Sequence, residues 1–193
     1  MSDTFDHGGG APAPGKSCGT CTMCCKVLRI AALNKKHGEW CPHATPGKGC
    51  GIYADRPHEC RKFHCGYLSS NMSEEWYPLK SKIVLMADAT GGITAVVDAS
   101  RPDAWREKPF YPQLKAWSRE LLGAGKYVVV RIGKRAIAVL PDQDFDLGPM
   151  EMDEPLVIET APGPAGRPIY RARKPDPGYA LRAGAAPALV KKE

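Results

Sequence analysis

All eight cysteines of this 193-residue chain fall between Cys18 and Cys65, a window of 48 positions, and none follows. They begin as Cys18-Gly-Thr-Cys21-Thr-Met-Cys24-Cys25 and continue through Cys41, Cys50, Cys60 and Cys65. Thiols this dense are either oxidised to disulfides or bound to metal, and the compartment decides which. Residues 1–17 carry neither an apolar run of the signal-peptide kind nor a cleavage pattern. No later stretch reaches the roughly 20 apolar residues that a spanning helix needs. The expected setting is therefore cytoplasmic and away from membranes, where reduced thiols bind metal rather than pair.

Spacing then bears on which metal. Two residues between successive cysteines let a tight loop turn its thiolates towards one centre, and Cys18, Cys21 and Cys24 can occupy three corners of an iron–sulfur cubane. Structural zinc more often takes two separate CxxC hairpins, each giving two ligands. Only the first kind of element is plain here, since the later cysteines stand eight, nine and four residues apart by intervening count. The pattern leans towards an iron–sulfur cluster, of the 4Fe-4S kind, with zinc as the alternative.

Cys24 and Cys25 are neighbours, and in extended backbone neighbouring side chains point to opposite faces. One sulfur then faces a first site while the other faces a second site or the core. His37, His43, His58 and His64 lie inside the same segment, where each could complete a site, tune one by hydrogen bonding to sulfur, or simply sit in a surface loop. Turns at Pro46-Gly47-Lys48-Gly49-Cys50-Gly51 and at Arg56-Pro57 let distant thiols converge. With little apolar content of its own, the segment is expected to fold only as it binds metal.

These residues carry a resemblance. The run Cys18-x-x-Cys21-x-x-Cys24-Cys25, then Trp40-Cys41-Pro42, Gly49-Cys50-x-Ile52-Tyr53 and Arg56-Pro57-x-x-Cys60-Arg61-x-Phe63-x-Cys65, resembles the YkgJ-type cysteine-cluster family of bacterial proteins, described as zinc- or iron-chelating. The similarity spans residues 18–68 and implies a metal centre without implying a reaction. A related cluster occurs in flagellin lysine methylases, which would imply protein methylation. Those proteins are longer, and nothing beyond Leu68 is similar to their remainder.

Beyond the cysteines the patterning is that of a folded unit. Asn71-Met-Ser-Glu74 reads as a helix start capped by Asn71. Ile83–Met86 and Ile93–Val97 read as strands joined through Thr90-Gly91-Gly92, and 126–132 with 136–140 as a hairpin around Gly133. From Pro109 to Leu122, Phe110, Leu114, Trp117 and Leu121 share one face of a helix that Gly123 ends. The run 27–33 is expected as a strand, and 155–159 with 169–172 as two edge strands. Asp142, Asp144 and Asp146 alternate but lack the glycine and glutamate of a calcium loop, so they read as a solvated acidic turn.

The expected architecture is α+β: a metal-stapled, cysteine-rich loop segment packed beside a small, strand-dominated module with one main amphipathic helix. Its boundaries are a flexible tail over 1–17, the cysteine segment over 18–78, the module over 79–160, and a Pro/Gly/Ala-rich tail over 161–193, disordered or loosely draped. The net charge of +6 is spread over both halves with no run of like sign. That argues against nucleic acid and leaves a protein partner or substrate. No phosphate-cradling loop, dinucleotide fingerprint, nucleophile elbow or HExxH is present, and the cysteine spacing is not that of radical-SAM enzymes. Catalysis is left open. The metal ligands expected are Cys18, Cys21, Cys24, Cys25, Cys41, Cys50, Cys60 and Cys65.

Overall fold

The computed structural model describes residues 11–87, 91–152, 154–176 and, as backbone, 189–191. The protein is α+β. Its centre is a five-stranded sheet of β3 (Ile83–Ala87), β4 (Ile93–Val97), β5 (Val128–Ile132), β6 (Arg135–Val139) and β7 (Asp144–Pro149), in that order. Ahead of it stand α1 (Met23–Val27), a small hairpin of β1 (Ala44–Thr45) and β2 (Gly49–Cys50), α2 (His58–Lys62), α3 (Gly66–Ser69) and α4 (Pro78–Ser81). Helix α5 (Phe110–Leu122) carries the chain from β4 to β5, which are parallel neighbours, while every other pairing in the sheet is antiparallel. A second sheet follows, from β8 (Val157–Pro162), β9 (Pro168–Arg173) and β10 (Leu189–Lys191), with β8 in the middle. Among the described residues no helix is long and apolar enough to cross a membrane.

The sheet is covered on both faces, as its unbroken apolar strands require. On one face Ile83, Leu85, Ile93, Ala95, Val97, Val128, Val130, Ile137 and Val139 pack against Phe110, Leu114 and Trp117 of α5 and against Trp76 and Trp105. The other face divides. Val84 and Val96 lie under Met23 and Val27 of α1. Val129, Ala136 and Ala138 lie with Leu156, Ile158 and Ala172 of the second-sheet region. The cysteine segment is thus one of the covers of the central sheet.

Strands β3, β4, β5 and β6 and helix α5 lie where periodicity places them, within two residues at each end. Thr90, between β3 and β4, is outside the described residues, as is His7. Several expectations need correction. Val27 ends a helix, and Ala31–Leu33 is a single 3-10 turn beside an isolated Ile30–Lys35 bridge, so 27–33 holds no regular strand. Met23 and Val27, one helical turn apart, both find apolar cover on the sheet, and that tertiary contact decides the helix. Asn71 caps nothing: a 3-10 turn spans Glu74–Trp76 with no side-chain cap, and Glu74 is occupied by the Tyr67 hydroxyl and Lys16.

The acidic residues are not a solvated turn. Asp144 and Asp146 lie on β7, where Asp144 holds Lys115 at 2.8 Å and accepts the Tyr111 hydroxyl at 3.0 Å, and Asp146 holds Arg135. Nor are β8 and β9 edges of the main sheet. They form their own, and they extend regular structure to Arg173, through the part of the Pro/Gly/Ala-rich stretch expected to be loose. Near the N-terminus, Ala13 N donates to Leu68 O at 2.9 Å and Lys16 Nζ to Met72 O at 2.7 Å, so 11–17 is anchored.

Trp76 is 1% exposed, its ring 4.9 Å from that of Phe110 and 5.2 Å from that of Trp117. It joins the residues after the cysteines to α5. Trp76→Ala is expected to cost about 3–5 kcal/mol in denaturant unfolding. A loss under about 1 kcal/mol would show that this contact does not hold the α5 layer in place.

Candidate metal centre

The cysteine segment is built as a set of tight turns around a cavity of about 300 Å³, and all eight cysteines line it. Cys21 N donates to Cys18 O at 2.9 Å, closing the first loop, and Tyr77 Oη donates to Cys18 O at 3.0 Å, tying that loop to the folded unit. Cys24 and Cys25 follow on α1 with their sulfurs 4.0 Å apart. Because α1 is helical, the extended-backbone reason for opposed neighbours does not apply. Successive helical residues are instead turned by about 100°, and the two sulfurs approach each other on the part of α1 that Met23 and Val27, which hold the sheet face, leave free.

The later cysteines come to α1 from the hairpin and from α2. Cys41 N donates to Cys25 O at 3.0 Å, and Ala44 N to Cys41 O at 3.0 Å. Ala44 is in turn the register partner of Cys50 across β1 and β2. Gly49 has φ +105, and a Cβ there would stand 3.2 Å from Gly19 O, so only glycine lets the hairpin back this closely onto the first loop. Cys60 lies on α2, whose Glu59 accepts Ala32 N at 2.7 Å. Cys65 sits ahead of α3 and packs, with Cys21, against the cluster that joins α1 to the sheet.

Of the histidines, His37 and His64 line the cavity. His37 Nδ1 is 3.3 Å from Val27 O, whereas His64 Nδ1 is buried without a hydrogen-bond partner. His43 and His58 are not among the lining residues. Sequence reading passed over Lys35, which is 4% exposed and donates to Lys26 O at 2.9 Å and to Leu28 O. A lysine between Asn34 and Lys36 carries no signal of such burial. Tyr53 and Arg56, stacked 3.8 Å apart at the lining, were legible only as part of the Tyr-x-x-Arg-Pro element.

The thiols differ in how readily they ionise. Burial pushes Cys65 up to about 11, and repulsion from Cys21 and Cys18 adds to it against opposing backbone hydrogen bonds. Burial likewise raises Cys21 and Cys60, Cys60 also being repelled by Glu59, Cys25, Cys41 and Cys50. Cys24 is pushed well up, first by its hydrogen bond to Cys25 and then by burial. That same bond, helped by the Lys35 ammonium against burial, brings Cys25 down to about 7. The pocket therefore favours one thiolate of the pair and resists those of Cys21, Cys24, Cys60 and Cys65, and buried charges are as a rule paired or coordinated to metal. A set of soft thiolates is what iron–sulfur clusters and zinc take, and a coordinated thiol is deprotonated outright. Among the described residues no three His, Cys, Asp or Glu side chains already stand close enough to hold one ion. The thiols ring a space instead of converging on a point.

Comparison with protein-family models, curated proteins and solved structures finds no match for this chain. The resemblance to the YkgJ-type family rests on the eight cysteines and the Tyr53-x-x-Arg56-Pro57 element of the sequence, with no family model matching.

Lys26, between α1 and the sheet, holds Asp98 at 2.7 and 2.8 Å, with the carboxylate side chain 4% exposed. Burial alone would raise the Asp98 pKa. The Lys26 ammonium and the Ser100 bonds outweigh it and hold the group below its ordinary value. A depressed folded-state pKa gives stability that is complete above the unfolded value and lost as pH falls through the folded one. Asp98→Asn is expected to destabilise the protein by about 2 kcal/mol at pH 7. Its deficit against the native chain should shrink below about pH 4, the ordinary aspartate range. A deficit that stays constant from pH 7 to pH 3 in denaturant titrations would refute the assignment.

Proposed function

We propose that the chain is a metal-binding protein whose thiolates Cys18, Cys21, Cys24, Cys25, Cys41, Cys50, Cys60 and Cys65 hold an iron–sulfur centre, of the 4Fe-4S kind, that serves redox or protein-modification chemistry. One observation carries the reading: every cysteine of the sequence lines a single cavity. A second feature favours a cluster over a lone ion: Cys18, Cys21 and Cys24 have the spacing that gives three ligands to one cubane.

A bound cluster would supply one-electron chemistry; the chain supplies its surroundings. Leu28, Phe63, Met86 and Met152 keep water from the cavity wall, and Lys35 offsets thiolate charge from beneath Cys25 and Cys41. The partner we infer is a protein. Trp40 and Tyr53, 43% and 50% exposed, lie on the cysteine segment, and they are side chains of the kind protein contacts use.

Protein purified without oxygen is expected to be brown, with iron and acid-labile sulfide. Colourless protein with stoichiometric zinc would replace the cluster by the alternative, a structural zinc module for protein or nucleic-acid contacts. Protein that binds neither would end the metal reading altogether.

Metal should also hold the segment on the sheet. The segment is rich in Gly, Pro and charge, and ordering it costs roughly 1–2 kcal/mol of backbone entropy per residue. Ligation offsets that cost. A strong chelator is expected to release amide protection over residues 18–68, while β5 and β6, covered by α5 and the second sheet, stay protected in hydrogen exchange. Loss of protection in β5 and β6 together with the segment would make the chain one cooperative unit around its metal.

A further inference from the structure

The eight thiols are not evenly distributed around the cavity. Cys21 and Cys65 pack on the Met23–Val27–Val84–Val96 cluster, and Cys18 is bound to Cys21 by the closing turn and to the sheet side by Tyr77. Cys41 is hydrogen-bonded to Cys25 through the backbone and, through Ala44, brought to the strand position opposite Cys50. Helix α1 carries both Cys24 and Cys25, whose sulfurs are 4.0 Å apart.

Resting on the thiolate–metal reading, we propose that the cavity holds two centres of four ligands each: Cys18, Cys21, Cys24 and Cys65 nearer the sheet, and Cys25, Cys41, Cys50 and Cys60 beneath the hairpin. Helix α1 gives one ligand to each, the adjacent pair Cys24–Cys25 being divided between them.

The repulsions run the same way. Cys65 is opposed by Cys21 and Cys18, and Cys60 by Cys25, Cys41 and Cys50. Only the neighbours 24 and 25 and the Cys21–Cys25 pair act across the division. Four is the complement that a 4Fe-4S cluster or a closed structural zinc site requires, and eight thiols make two such sets with none left over. Lys35 is assigned to the second set, since the thiolates that act on it are Cys25, Cys41 and Cys24 in that order. With ligand sulfurs 4.0 Å apart on one helix, the two centres would lie close enough for their electron spins to interact.

The test measures metal per chain after anaerobic loading with iron and sulfide and, separately, with zinc alone. Removing two ligands from one set should abolish that centre and spare the other. Cys50→Ala/Cys60→Ala and Cys21→Ala/Cys65→Ala are each expected to keep about half the native metal, and the four substitutions together none. Either pair losing all the metal overturns the two-centre proposal while leaving the metal reading intact. A native chain that binds neither iron nor zinc overturns both. Should a variant fail to fold, the native protein answers. Under limiting chelator, pulsed alkylation read by mass spectrometry should label Cys25, Cys41, Cys50 and Cys60 as one group and Cys18, Cys21, Cys24 and Cys65 as another. Labelling of all eight together, or in mixed groups, refutes the division.

Discussion

A sheet that is apolar on both faces must be covered on both, and that requirement organises this molecule. Val84 and Val96 face away from α5 and are covered by Met23 and Val27 of α1, with Leu28, Phe63 and Met152 beside them. Burying side chains of this size is worth about 1.5–3 kcal/mol each, enough to fix a five-residue helix too short to persist alone. Once α1 is fixed by Met23 and Val27, the positions of Cys24 and Cys25 follow from helical geometry. Lys26 locks the same helix to Asp98 at the end of β4. The apolar residues among the cysteines thus do as much to form the cavity as the cysteines themselves.

Charge supplies the opposing constraint. Burial raises Cys21, Cys60 and Cys65, and Cys24 is raised by its bond to Cys25 as well, so thiolates accumulate in this pocket only against resistance. Lys35 relieves part of it at the cost of its own burial, which lowers its pKa while the thiolates raise it. One lysine does not balance eight sulfurs. A bound metal, as proposed above, would relieve the same resistance, since a coordinated thiol is deprotonated outright.

Strands β3 to β6 were legible in the sequence because they are short apolar runs, buried along nearly their whole length, whereas the half-exposed, acidic β7 was not. The α5 stripe of Phe110, Leu114 and Trp117 was legible because one face alone is buried. Helix α1 was hidden by its length: Met23 and Val27 make a single i, i+4 pair, and Val27-Leu28-Arg29-Ile30 mimics a strand. Asp144 and Asp146 misled because their partners Lys115 and Arg135 are distant in sequence or paired only through strand register. The ligand candidates were readable as a set, since composition alone separates them from the rest of the chain. Their grouping was not, because Cys41, Cys50, Cys60 and Cys65 meet α1 through turns and a hairpin whose geometry no spacing rule encodes.

The mouth of the cavity differs from its floor in a way that bears on use. Leu28, Phe63 and Val84 give the cavity an apolar wall against the sheet cluster, whereas Tyr53 and Arg56 at the lining are stacked on each other and partly in solvent. Arg56 is also bonded to Tyr53 O and Cys60 O, so the rim pair and the ligand-bearing α2 are positioned together. A protein that engages the exposed ring of Tyr53 would press on the element that carries Cys60. Tyr53 also interacts with the Cys18 thiol, so under the two-centre reading partner binding would bear on a ligand of each centre, on Cys18 directly and on Cys60 through Arg56.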